Sequence, residues 1–140
     1  MTNQARISAI NLELTRLNND CGTAAIALNR VRAKLDTLRS AKFQLNTLLD
    51  NYSNLTTDYS SLDSSIWDSR FRGSLRRSFQ SDLSQIERHL QTLKNNHEDR
   101  QNIIANAITS AETEETSLQN QITGFNTRIN NLEQERRSLL

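Results

Sequence analysis

Few side chains in this sequence could do chemistry on a substrate. There is one cysteine, Cys21, and there are two histidines, His89 and His97. A redox thiol or a zinc site needs a second Cys or a His nearby, and none lies within a helical turn of Cys21. Cys21 therefore reads as a small buried apolar residue. His89 falls on a polar face with no paired Cys or His, which gives no metal site. His97 falls where an apolar residue is due. Imidazole titrates nearest neutrality and could serve there as a switch, and the plainer reading is a partly exposed ring at a poorly packed layer. Glu112, Glu114 and Glu115 form a small acidic patch of the kind a solvated helix face carries. There is no Gly-rich phosphate loop, HExxH, paired-Cys motif or G-x-S-x-G. No catalytic, cofactor-binding or metal-binding residue is expected, and the chain reads as non-enzymatic.

Binding chemistry is concentrated in Ser64 to Phe79. That stretch holds the only tryptophan, Trp67, together with Phe71, Gly73 and four arginines, Arg70, Arg72, Arg76 and Arg77. The arginines could suggest nucleic acid, but the formal net charge is only +1, and Asp68 and Asp82 stand close by. No nucleic-acid partner is expected. No apolar run approaches the roughly 20 residues of a membrane span. Met1 to Asn11 has no uncharged apolar core, so no Sec signal peptide is read there, and assembly in the cytoplasm is the expectation.

The elements that must position this stretch are helices. Proline is absent and only 35% of residues are hydrophobic, 5% aromatic. That is too little for a thick core and enough for narrow seams. The first arm repeats apolar residues in alternating steps of three and four, from Ile7, Ile10, Leu14 and Leu17 through Leu28, Val31 and Leu35 to Leu45, Leu49 and Tyr52. This is a heptad seam in which Lys42 is the only polar member. Thr2 or Asn3 is placed to cap it. Gly22 is its weakest point, yet the register holds on both sides, so the helix should pass through. From Ser53 to Ser65 the repeat fades into Ser, Thr, Asn and Asp, which favour caps and turns. The second arm reads Leu75, Phe79, Leu83, Ile86, Leu90 and Leu93, loses its apolar residues at His97 and Arg100, and resumes at Ile104 and Ile108 with a stutter-like shift near Ile103. It then runs to Leu139.

The expected fold is all-α, a single domain over 1–140. It is an elongated, coiled-coil-like antiparallel hairpin with helix one at about 4–53, a connector at about 54–68 and helix two at about 69–140. Ser69 or Ser74 would cap helix two, and Trp67 and Phe71 would plug the end of the hairpin. On this layout the first arm runs out near Gln119 to Gly124. Phe125, Ile129, Leu132 and Leu139 would then overhang without an intrachain partner, unless the chain kinks or folds back at Gly124 as a short third helix. An exposed apolar stripe marks an interface, so the chain is expected to complete its core with other helices. The expected partner-binding residues are Trp67, Phe71, Arg72, Gly73, Leu75, Phe79, Phe125, Ile129 and Leu132.

On Trp67, Gly73, Ser74, Leu75 and Phe79 the chain resembles the WXG superfamily of type VII secretion proteins, small antiparallel helical hairpins with a Trp-x-Gly turn. Its size and heptad-rich arms look more like the YwqH-like family, encoded beside LXG-type toxins of Gram-positive bacteria. Five residues separate Trp67 from Gly73, where the family pattern has one. The family's tail-borne export motif, an aromatic with an acidic residue four positions later, occurs only as Tyr59 and Asp63, before the turn. The resemblance implies a partner or targeting factor that binds the N-terminal LXG region of a toxin and helps present it for export. A second small helical protein would be a further partner, and the partner would carry the export motif. The competing reading is a generic coiled-coil scaffold or self-assembling structural protein, with a homodimer as the alternative to a different partner.

Overall fold

The computed structural model describes residues 2–68 and 73–140; for 63–68 it describes the helix and not the side chains. Two helices, α1 (Asn3–Asp68) and α2 (Ser74–Leu139), pack against one another as an all-α hairpin. Contacts group the chain into a terminal unit, Met1–Thr37 with Ile108–Leu140, and a turn unit, Leu38–Ala107.

Local chemistry explains the helix bounds. The Ala5 N–H donates to Thr2 Oγ1 at 3.2 Å and the Arg6 N–H to the Thr2 carbonyl at 3.1 Å, so Thr2 is the expected cap of α1. At the other helix the cap is Gly73 rather than Ser74. The Gly73 carbonyl accepts the Arg77 N–H at 3.1 Å, and its φ of 85° lies in the left-handed region that glycine occupies without strain. Ser74 is the first helical residue, and Ser69 lies outside the described residues.

The connector expected at 54–68 is helix. Among its described hydroxyls, three bond back onto the helix backbone rather than terminating it. Thr56 Oγ1 donates to the Tyr52 carbonyl at 2.9 Å, Thr57 to Ser53 at 3.2 Å and Ser60 to Thr56 at 3.0 Å. Extending α1 to Asp68 gives both helices 66 residues, and equal lengths remove the expected overhang. Leu132 is only 1% exposed and packs with Ile10 and Leu14, with Leu17, Ile129 and Leu139 around them. Phe125 is half-buried. α2 continues unbroken through Gly124 to Leu139, so there is no third helix at that end.

With a and d denoting the seam positions of each heptad, Ile7, Leu14 and Leu28 are at a in α1 and Ile10, Leu17 and Val31 at d. In α2 the inward residues keep one uninterrupted 3-4 spacing, through Leu90, Lys94, His97, Gln101, Ile104, Ile108 and Ala111. The expected stutter is absent because Ile103, 66% exposed, is not a seam residue. Leu75, Ile86 and Leu93 also stand outside the seam, at 64%, 50% and 46% exposure. Arg76 and Lys94 take the inward positions next to Leu75 and Leu93.

The burial of Leu132 predicts that Leu132→Ala lowers unfolding stability by about 2–5 kcal/mol in urea titrations, whereas truncating an outward leucine such as Leu12 leaves it nearly unchanged. The glycines should separate in the same assay. Gly73→Ala forces a left-handed backbone and should cost about 1–2 kcal/mol. Gly124→Ala places a methyl in open space within a helix and should gain about 0.5–1 kcal/mol.

Candidate partner-binding face

In the terminal unit the seam is apolar and its flanks are charged. Ile10, Leu14, Ala24, Leu28, Val31, Leu35, Ile108, Ala111 and Leu132 are all buried. Arg6 grips Glu135 with two bonds, Nε to Oε1 at 2.6 Å and Nη2 to Oε2 at 2.9 Å. Arg128 Nη2 reaches Glu13 Oε1 at 2.8 Å. Arg32 Nε stands 3.4 Å from Glu115 Oε2, which accounts for one carboxylate of the acidic patch. Arg6, Glu13, Arg128 and Glu135 are all g positions, the residue just before a. In an antiparallel pair, then, g on one helix meets g on the other. Cys21 is half-buried in the same seam, its thiol donating to Asn126 Oδ1 at 3.8 Å.

The turn unit inverts this pattern. Its a positions are Lys42, Leu49 and Thr56 on α1 and Gln80, Glu87, Lys94 and Gln101 on α2, so only Leu49 is apolar. Most of its d positions, among them Leu45, Tyr52 and Tyr59 with Leu83, Leu90 and Ile104, are apolar or aromatic; Arg76 is the exception. Only Leu45 and Leu83 are buried among the described residues of this unit. The seam is held by polar contacts as well: Gln101 Nε2 donates to Asn46 Oδ1 at 2.7 Å, and Tyr52 stacks on His97 with centroids 5.4 Å apart and planes at 30°. His97 Nδ1 is buried without a hydrogen-bond partner. A cavity of about 40 Å³ opens between Tyr52, Thr56, Tyr59, Glu87, Leu90, Gln91 and Lys94. That volume is far below the several hundred Å³ of a small-molecule site.

The missing apolar residues of this unit sit at g. Leu48, Leu55 and Leu62 recur every seven residues on α1, exposed at 45%, 46% and 45%. On α2 the g positions hold Phe79 at 38% exposure, Ile86 and Leu93, and Arg100 ends the apolar run. Because g meets g across the hairpin, these side chains share one flank. The opposite flank, built from e positions, carries Asn46, Ser53 and Ser60 with Ser84, Gln91 and Glu98. The turn unit thus presents one apolar face and one polar face.

The residues expected to bind a partner are placed unequally. Leu75 and Phe79 are exposed at the start of α2, beside this face. Gly73 caps the helix. Leu132 is sealed inside the terminal unit, and Ile129 and Phe125 are half-buried there, so these three do not form an exposed stripe. Trp67 lies within α1, its side chain outside the described residues, as are Phe71 and Arg72. Sequence reasoning missed Leu48, Leu55 and Leu62. Their signal was the seven-residue recurrence of leucine one position before a. Among the described residues no helix is long and apolar enough to cross a membrane, and no three His, Cys, Asp or Glu side chains group as metal ligands would.

The molecule is thus an all-α helical hairpin with an apolar flank. Searches against protein-family models, curated proteins and solved structures found no match.

The Arg6–Glu135 pair predicts a pH signature. Hydrogen bonding from Arg6 holds the Glu135 carboxylate below its ordinary value of 4.5, against partial desolvation that pushes it up. A lowered folded value means that the pair stabilises the fold fully above the ordinary glutamate range and loses that contribution as pH falls through the lowered value. The difference in urea midpoint between the native chain and Glu135→Gln should be constant near neutrality and shrink in acid. A difference that grows in acid would contradict this. Both side chains are about 40% exposed, so salt should weaken the pair as well.

Proposed function

We propose that this chain is a non-enzymatic helical adaptor that binds another helical protein through the apolar flank of its turn unit. The observation that carries the reading is the run of Leu48, Leu55, Leu62, Ile86 and Leu93 on one side of a unit whose own seam is polar at all but one of its described a positions. Surface leucines scattered singly are ordinary, as Leu12 and Ile26 are here. A contiguous row on one flank is the mark of an interface.

The resemblance to the YwqH-like family supplies the identity of the partner in this proposal: the N-terminal LXG region of a type VII-secreted toxin. The adaptor would assemble with it in the cytoplasm and help present it for export, with a second small helical protein completing the complex. The leucines and isoleucine of the flank would bury the apolar faces of toxin helices. Leu75 and Phe79 would extend that surface toward the turn, where Trp67, Phe71 and Arg72 would contribute. The export signal would come from the partner.

The deciding measurement is the solution mass of the chain mixed with the helical N-terminal region of the large protein encoded beside it. A stable heteromeric complex is expected, weakened at least about tenfold by Leu55→Glu or Trp67→Ala, with Leu12→Glu as a silent control. A homo-oligomer that ignores the candidate region would sink the adaptor reading and favour a self-assembling scaffold.

A further inference from the structure

The direction of the apolar face says how many helices must cover it. Each heptad position advances about 103° around a coiled-coil helix, so passing from an a/d face to a d/g face turns the apolar stripe by about 51°. Both helices of the turn unit make this turn toward the same flank. In a square arrangement of four helices, the bundle axis lies about 45° off the line joining neighbours; in a triangle of three, about 30°. The observed rotation fits the square. That geometry matches half of a four-helix bundle, whose other half would be a pair of helices with the same d/g pattern.

One source of such a pair is already present, the turn unit of another copy. We infer that the free chain pairs with a second copy of itself through the Leu48, Leu55, Leu62, Ile86 and Leu93 face, forming a four-helix bundle from segments 48–62 and 79–93 of each copy. The five side chains are each 45–50% exposed. They leave roughly 400 Å² per chain, so a self-paired face with its rim reaches on the order of the 1,000 Å² at which specific interfaces begin. The polar e flank leaves each copy a single such face, which closes the assembly at two. In the terminal unit the corresponding g positions are occupied by the Arg6–Glu135 and Glu13–Arg128 pairs, so the pairing face belongs to the turn unit. This inference goes beyond the adaptor role and does not depend on the partner's identity. If both hold, the partner displaces the second copy.

Sedimentation equilibrium of the chain from about 10 to 500 μM tests it. The mass should rise from 16.0 kDa toward twice that value. Leu55→Glu with Leu93→Glu should weaken the association at least about tenfold, while Leu12→Glu should not. Hydrogen exchange of the native chain gives a second readout that needs no variant. Amide protection should rise with concentration within Leu38–Ala107 and stay constant in the terminal unit. A chain that stays monomeric over the whole range would overturn the inference. So would association indifferent to the double variant in a helical protein, or protection that rises in the terminal unit instead. A monomer that still binds the toxin region would leave the adaptor reading standing. A dimer that fails to bind that region would do the reverse.

Discussion

The structure depends on keeping one seam in register between two antiparallel helices. Each inward residue must meet its counterpart on a helix running the other way, and each step up α1 is a step down α2. In the terminal unit this is visible in the descending partners of Arg6, Glu13 and Arg32, namely Glu135, Arg128 and Glu115. Apolar burial supplies the attraction, but leucines repeat every seven residues and would accept a slipped alignment nearly as well. Charged and amide pairs break that degeneracy. The Arg6–Glu135 fork does so in the terminal unit, and the Asn46–Gln101 bond does so in the turn unit. Exposed pairs of this kind add little stability. Their larger contribution is to single out one register.

Within that shared rule the two units solve different problems. The terminal unit buries its leucines between its own two helices and surrounds them with charge. The turn unit places amide, ammonium and carboxylate groups at its a positions and moves its leucines one position back. A two-helix seam made from Thr56, Glu87, Lys94 and Gln101 is a poor seam, and the cavity beside Tyr52 and Tyr59 shows it. The weakness follows from where the apolar side chains were placed, since a residue cannot serve an internal seam and an outward face equally well. Local openings should therefore be easier in the turn unit.

Much of the fold was legible in the residues. The 3-4 spacing from Ile7 to Tyr52 marked a helix, and the short connector allowed only an antiparallel return. Thr2 was recognisable as a cap from its type and place. Two features were harder to see. Serine and threonine between Ser53 and Ser65 have two options, to terminate a helix or to bond back onto it, and composition alone does not choose; Leu55, Tyr59 and Leu62 tip the balance by continuing the repeat. In the second arm, following the apolar residues alone traced Leu75, Phe79, Ile86 and Leu93 as the seam, because seams are ordinarily the most apolar line. Here the inward line is partly polar, and only the register imposed by the opposite helix reveals it. The exposed apolar face was thus written in the sequence as a periodicity, but the side to which it pointed was not.

The matched length of α1 and α2, 66 residues each, also constrains how such a chain can change over evolutionary time. A deletion in one helix leaves unmatched residues on the other. A deletion of anything but a multiple of seven also rotates every residue beyond it away from the seam. Tolerated insertions and deletions in relatives of this hairpin should therefore come in pairs, one heptad from each helix at facing positions.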